Sequence, residues 1–215
     1  MQPFFIDLVT RTDESRREFE NHQSVLDAVA HCLSVERYRA LLVQLYHVVW
    51  HFNPICAAAA SRLPDAFKVI RYFLYTHMEE ERGHEGWVLA DLEAVGMPRD
   101  RAAAQAPSLV TLALTGYNYW AADRRHPCSV LGMLYALEVI ASVYGGPFSA
   151  AAKETLQLPD DRGISFLSSH STMDAEHLAE LRLVLNTIDD VQAHDAIVES
   201  TRMNFDHFRR IVEAV

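Results

Sequence analysis

Helical periodicity runs through almost the whole chain, and the interruptions to it are short and widely spaced. Eight glycines in 215 residues, few alternating β-branched runs and many Ala, Leu, Glu and Arg favour helix over strand nearly everywhere. The pattern predicts helices over about 13–31, 35–61, 65–95, 108–124, 128–144, 147–157, 161–188 and 190–213. Ser34 is placed to cap the second, Pro64 separates it from the third, and Gly96 with Pro98 stops the third. Pro127 and Gly145-Gly146-Pro147 bracket the fifth, Pro159 with Asp160 and Asp161 introduces the seventh, and Asp189 and Asp190 introduce the last. Long helices joined by short turns specify antiparallel neighbours. The expectation is therefore an all-α fold, a compact bundle of about seven or eight helices, in a single domain over 1–215.

Hydrophobic residues make up 50% of the chain and charged residues 22%, enough apolar material for a substantial core. Nineteen Lys and Arg against 29 Asp and Glu give a formal net charge of −10, which argues against nucleic acid or an anionic membrane as the main partner. Cys32, Cys56 and Cys128 are odd in number, widely spaced and without a CxxC pair, the pattern of reduced thiols and not of a thiolate metal site. The first residues lack a basic, apolar, cleavable leader, and no run reaches the roughly 20 apolar residues of a membrane span. A cytoplasmic location is expected.

Eleven histidines are the compositional oddity, and several fall inside apolar-periodic helices. In "HMEEERGHE", His77, Glu81 and His84 are spaced H-x3-E-x2-H; in "HSTMDAEH", His170, Asp174 and His177 are spaced H-x3-D-x2-H. At about 100° per residue, positions 0, +4 and +7 of a helix lie within about 60° of one another, so each trio shares one face. Ile70, Leu74, Val88, Leu92 and Val95 lie on the face of Glu81 and His84, and Leu181, Val184, Leu185 and Ile188 continue the face of the second trio. Both trios are expected to face the core. An unpaired buried carboxylate costs roughly several kcal/mol, which a divalent metal would offset.

The fifth helix adds a single acid, Glu138, among Leu134, Leu137, Val139, Ile140 and Ala141. It is read as a metal ligand, with a structural salt bridge or hydrogen bond as the alternative. Glu79 and Glu85 point away from the apolar stripe toward solvent, and Glu80, at its edge and four residues from His84, is a second choice behind Glu81. His47 and His51 have i,i+4 spacing; His47 is the weakest candidate ligand, since hydrogen bonding in the core explains both histidines as well. His22, His31, His126, His194 and His207 lack partners at ligand spacing and read as surface or structural residues. Tyr46, Trp50, Tyr117, Tyr119, Trp120, Tyr135 and Tyr144 read as core packing, some of them lining a substrate pocket. Gly145 and Gly146 read as a turn, or as a hinge giving access to the metal. Imidazole with carboxylate and no thiolate suits iron, manganese or zinc. Three carboxylates shared between two metals, with terminal histidines, is the diiron arrangement of helical bundles.

The succession "HMEEERGHEGW", "YALEVIAS" and "HSTMDAEHLAEL", with an isolated Glu138 before His170, resembles the haem-oxygenase-like diiron oxidases over most of the chain. That resemblance implies a compact haem-oxygenase-like (TenA-like) bundle, two iron ions and O2-dependent oxidation of a small organic substrate. By the resemblance, His84, Glu138, His170, Asp174 and His177 correspond to family ligands, and Glu81 is the acid of the E-x2-H step. A family member implicated in p-aminobenzoate synthesis has a glutamate where this chain has His77. Some relatives add a glutamate from the second helix, where this chain has no acid between Glu36 and Asp65 and offers His47 and His51. No catalytic residue separate from the metal ligands is expected, and manganese or zinc could fill the same donors in a purified sample. The expected partners are a small-molecule substrate and O2, with an electron donor and a second copy of the chain as open options. Three rival readings remain: a metal-free TenA-like hydrolase using Cys56 or Cys128, a haem oxygenase with His22 or His31 as proximal ligand, and a non-catalytic, metal-stabilised binding module.

Overall fold

A computed structural model describes residues 3–31 and 33–215, apart from the side chains of 171–176. Its helices are α1 (Phe4–Glu20), α2 (Gln23–His31), α3 (Val35–Arg62), α4 (Lys68–Glu80), α5 (His84–Ala94), α6 (Arg99–Ala103), α7 (Leu109–Trp120), α8 (Val130–Ile140), α9 (Gly146–Thr155), α10 (Ser165–Leu185) and α11 (Val191–Ala214). No strand occurs among the described residues. Ser34 caps α3 by accepting from Arg37 N–H, and Asp190 caps α11 by accepting from Ala193 N–H, as their positions in the sequence predict.

Three boundaries differ from the sequence expectation, each for a local reason. The first predicted helix begins earlier and is two helices, because the Asn21 side-chain amide donates back to the Arg17 carbonyl and closes α1 there. The third predicted helix is also two. Gly83 adopts φ 90°, a left-handed conformation that glycine tolerates without a Cβ clash, and the chain restarts as α5 at His84. Conversely, Gly145-Gly146-Pro147 forms no turn. A π-helical turn (Ala141–Gly145) carries α8 straight into α9, and Pro147 falls at the start of α9, where a missing backbone N–H is tolerated.

Helix α8 is the axis of the fold. It is apolar all round, and ten of its residues, Glu138 among them, are buried. It packs on α11 and α10, while α3 packs on α4, α5 and α7. The run Pro127–Thr155 has the length and composition of a membrane span, contrary to the expectation that none exists, but 72% of its most apolar window is buried inside the fold, as for a core helix. Gly132 marks a close helix crossing: a Cβ there would lie 2.3 Å from the Ile197 carbonyl oxygen of α11. Trp50 and Trp120, expected in the core, instead keep 49% of their surface exposed, on the outer faces of α3 and α7.

Candidate metal centre

Four helices bring their polar residues to one place. His77 and Glu81 come from the end of α4, His84 from the first residue of α5, Glu138 from α8, and His170 and His177 from α10. All six are between 2% and 9% exposed. Their donor atoms form two groups, each within 4.8 Å: His77, Glu81, Glu138 and His177 in one, and Glu81, His84 and His170 in the other. Glu81 belongs to both. Its Oε2 lies 2.7 Å from His84 Nδ1 and 3.7 Å from His170 Nε2, while its Oε1 lies 3.7 Å from His177 Nδ1. Glu138 Oε1 completes the first group, 3.5 Å from His177 Nδ1 and 3.4 Å from His77 Nε2.

Between α4 and α5 the left-handed turn at Gly83 changes the chain direction within the motif itself, and across it the His84 ring meets the Glu81 carboxylate. His170 is oriented from behind. Its Nδ1–H donates to the Phe166 carbonyl at 2.8 Å, since a carbonyl can only accept, so Nε2 is the nitrogen turned toward His84 and Glu81, carrying an N–H toward Glu81 in the protonated ring and a lone pair for a metal in the neutral one. Burial alone would raise the Glu81 carboxyl, but hydrogen bonds from His170 and His84 outweigh it and hold the group well below the usual carboxylate range.

These donors fit a divalent metal. Both ring nitrogens of His77 and Oε2 of Glu138 are buried without a hydrogen-bond partner, an expensive arrangement that a cation would relieve. Imidazole and carboxylate without thiolate suit iron, manganese or zinc.

Other residues fall around the clusters. Glu80, expected at the edge of the stripe, reaches the rim: its Oε2 lies 3.7 Å from His177 Nε2 and 3.8 Å from His77 Nδ1, with the side chain 39% exposed. Glu79 is exposed and Glu85 partly so. His47 is not brought to the clusters, because its Nε2 bonds the Gln105 carbonyl, and His51 pairs with the Tyr119 hydroxyl. The side chain of Asp174 and all of Cys32 lie outside the described residues. Cys56 and Cys128 are fully buried. Burial and the charges of Glu81 and Glu138 push the Cys56 thiol far up, and burial pushes Cys128 up to about 12. Neither is a poised nucleophile.

Sequence reasoning missed two residues. Trp87 stacks on His84 with ring centroids 4.1 Å apart while remaining 38% exposed, covering that imidazole on its outer side. Asp91, 1% exposed, ties α5 to α10: its Oδ1 accepts from Gly163 N–H, Ser165 N–H and the Ser165 hydroxyl, and its Oδ2 accepts from Phe166 N–H. One carboxylate thereby caps the helix that carries His170 from the helix that carries His84. A signal was available, since Asp91 lies seven residues after His84 on the apolar face with Val88 and Leu92.

A cavity of about 140 Å³ opens beside the clusters, with Glu81, Glu138 and His170 in its wall. Leu45, Val48 and Phe52 of α3 and Leu137 and Ile140 of α8 form much of the remainder. His22 and His31 do not line it.

Residues 39–208 match the model of a family described as iron-containing redox enzymes. A search of curated proteins found no significant match. Among solved structures, a domain of unknown function with a heme oxygenase-like fold from Shewanella denitrificans superposes with a TM-score of 0.82 at 23% identity, covering 95% of this chain and 88% of that one. A TenA homologue from Pseudomonas syringae gives 0.79 at 16% identity over 98% and 92%. A heme oxygenase from a Synechocystis species, in complex with heme and nitric oxide, gives 0.80 at 17% identity over 99% and 84%. At these identities the likeness establishes the haem-oxygenase-like, TenA-like fold.

Proposed function

Because the chain belongs to the iron-containing redox enzyme family, we propose that it is a non-haem diiron oxidase that uses O2 to oxidise a small organic substrate. The observation that carries the reading is the double membership of Glu81. Its two oxygens face two separate donor groups, which is the disposition of a carboxylate shared between two ions. His77, Glu138 and His177 would hold one ion with Glu81, and His84 and His170 the other. Asp174 is retained as a ligand from its spacing between His170 and His177. Ferrous ions bound there would supply the electrons for O2 chemistry and a Lewis-acidic centre.

The chain's own part is positional. The Phe166 carbonyl fixes the tautomer of His170, Asp91 fixes the helix beneath it, and Trp87 covers His84. The aliphatic and aromatic wall of the cavity excludes water and leaves one polar end, where a substrate would meet the clusters. Anaerobic titration with Fe(II) tests the reading. Close to two ions per chain should bind, and admission of O2 should give a transient visible absorbance. Binding of no iron, or two irons inert toward O2, would overturn it.

A further inference from the structure

We infer that Glu80 is the positioning residue of the His77 group, its carboxylate accepting the N–H of both histidines there, an inference that rests on reading that group as a metal site. The two rings are turned alike. His77 Nε2 lies 3.4 Å from Glu138 Oε1, and His177 Nδ1 lies 3.5 Å from the same oxygen and 3.7 Å from Glu81 Oε1. These are the nitrogens that would meet an ion held with Glu81 and Glu138. A neutral imidazole that gives one nitrogen to a metal carries its hydrogen on the other. For His77 that is Nδ1 and for His177 it is Nε2, and the two face one atom, Glu80 Oε2, at 3.8 Å and 3.7 Å. Asp174, as a further donor to either ion, leaves unchanged which nitrogen of each ring faces Glu80.

Glu80 suits this task better than direct ligation. It belongs to neither donor group, and among the described residues no Lys or Arg pairs with it. Its place three residues after His77 puts it one turn along α4, beside the outward nitrogen of that ring. Nδ1 of His77 has little other recourse: it is buried without a hydrogen-bond partner, and the ring is packed against Phe73 and Phe52, with centroids 5.5 Å and 5.7 Å away. An N–H left there without an acceptor would carry the cost of a buried, unsatisfied donor. The Glu80 side chain is 39% exposed, free to move its carboxylate the roughly 1 Å that separates these contacts from hydrogen bonds. The other donor group meets the same need from the backbone, through the Phe166 carbonyl behind His170.

The test uses the full chain loaded with Zn(II), in which proton–nitrogen correlation spectra resolve the histidine tautomers. His77 should carry its hydrogen on Nδ1 and His177 on Nε2, and Glu80→Ala should move both N–H proton resonances upfield. In anaerobic Fe(II) titrations against a chelator, Glu80→Ala should weaken one binding step about 10–100-fold, with the melting temperature of the metal-free chain unchanged. Glu80→Gln, whose amide oxygen still accepts an N–H, should recover most of that loss. In a Glu138→Gln background, where the same group is already broken, Glu80→Ala should add little. The opposite tautomer at either ring, or Glu80→Ala binding both ions as the wild type does, would overturn the inference. Glu80→Gln as weak as Glu80→Ala would make Glu80 a ligand and overturn it too. The expected tautomers in a chain whose iron is inert toward O2 would uphold it while defeating the oxidase reading; two O2-reactive irons indifferent to Glu80 would defeat this inference alone, and a chain that binds neither Zn(II) nor Fe(II) would defeat both.

Discussion

Glu81, the C-cap of α4, and His84, the first residue of α5, are three residues apart, and their side chains meet at 2.7 Å across the left-handed turn at Gly83. Residues three apart can also pair within one continuous helix, so the distinct effect of the turn is to set the direction in which α5 leaves the clusters with Trp87 and Asp91.

Replacement of Gly83 by Ala isolates this effect. A Cβ at residue 83 would meet nothing within 4 Å, so the cost is confined to holding an L-residue at φ 90°. That is about 1–2 kcal/mol. We expect Gly83→Ala to lower the unfolding free energy read from a urea titration by that amount and to weaken iron retention at the His84 and His170 group. A variant with unchanged stability and unchanged iron content would show that the turn is not required.

Glu81 and Glu138 should respond differently to mutation, because one belongs to both donor groups and the other to one. Glu81→Ala is expected to lose both irons after desalting, and Glu138→Gln to keep about one of the two. Chelation of the wild type should lower its melting temperature, since an ion bound at 100 times its Kd contributes about 2.7 kcal/mol. Equal iron loss in the two variants would contradict a shared Glu81.

How much of this is legible in the sequence differs from residue to residue. The inward direction of Glu81 and His84 follows from Ile70, Leu74, Val88 and Leu92, because burial of an apolar stripe outlasts a small change of axis. The break itself does not follow. A lone glycine in a strongly periodic segment is often accommodated in the helix, and only the tertiary positions of α5 and α10 demand a left-handed residue there. The opposite error occurs at Gly145-Gly146-Pro147, where strong local breakers sit inside continuous helix because a π turn absorbs them. For Asp91 the place on the apolar face with Val88 and Leu92 announces burial but not its role: its partners are more than 70 residues away, and nothing local marks a helix residue as the cap of another helix.

Cys56 and Cys128 should be silent toward thiol reagents. Burial, reinforced by Glu81 and Glu138, raises the Cys56 thiol, and burial with Asp190 raises Cys128 to about 12. With Cys32 replaced by Ser, no labelling is expected at pH 8 until the chain unfolds. A folded-state pKa above the unfolded value of about 8.5 means that the native state binds more protons. The associated stability is fully present below that pH and is lost as pH rises toward 12. Rapid labelling of the native protein at pH 8 would restore the cysteine-nucleophile reading.

Gly132→Ala should be costly where Gly83→Ala is mild. The new methyl would be 2.3 Å from the Ile197 carbonyl oxygen and 2.9 Å from Ser200 Cβ, so α8 and α11 must separate. About 1–3 kcal/mol of destabilisation is expected. Because α8 carries Glu138, some loss of iron should accompany it, and an unperturbed melting curve would show that the crossing is looser than described.

Asp91 offers the most discriminating substitution, since it touches no donor atom of either cluster and acts only through α10. Asp91→Ala removes the acceptor for four donors at the start of that helix. Two consequences should separate. Stability should fall by about 2 kcal/mol or more, because buried N–H groups lose their partner and the helix N-terminus loses a negative charge. Iron affinity should fall selectively at the group containing His170, whose orienting carbonyl, Phe166, belongs to a residue whose own N–H is held by Asp91. Asp91→Asn, which keeps an acceptor oxygen but not the charge, should recover part of both losses. If Asp91→Ala lowered stability yet left both irons bound as in the wild type, the cap would be a feature of the fold alone, and the orientation of His170 would have to be set elsewhere.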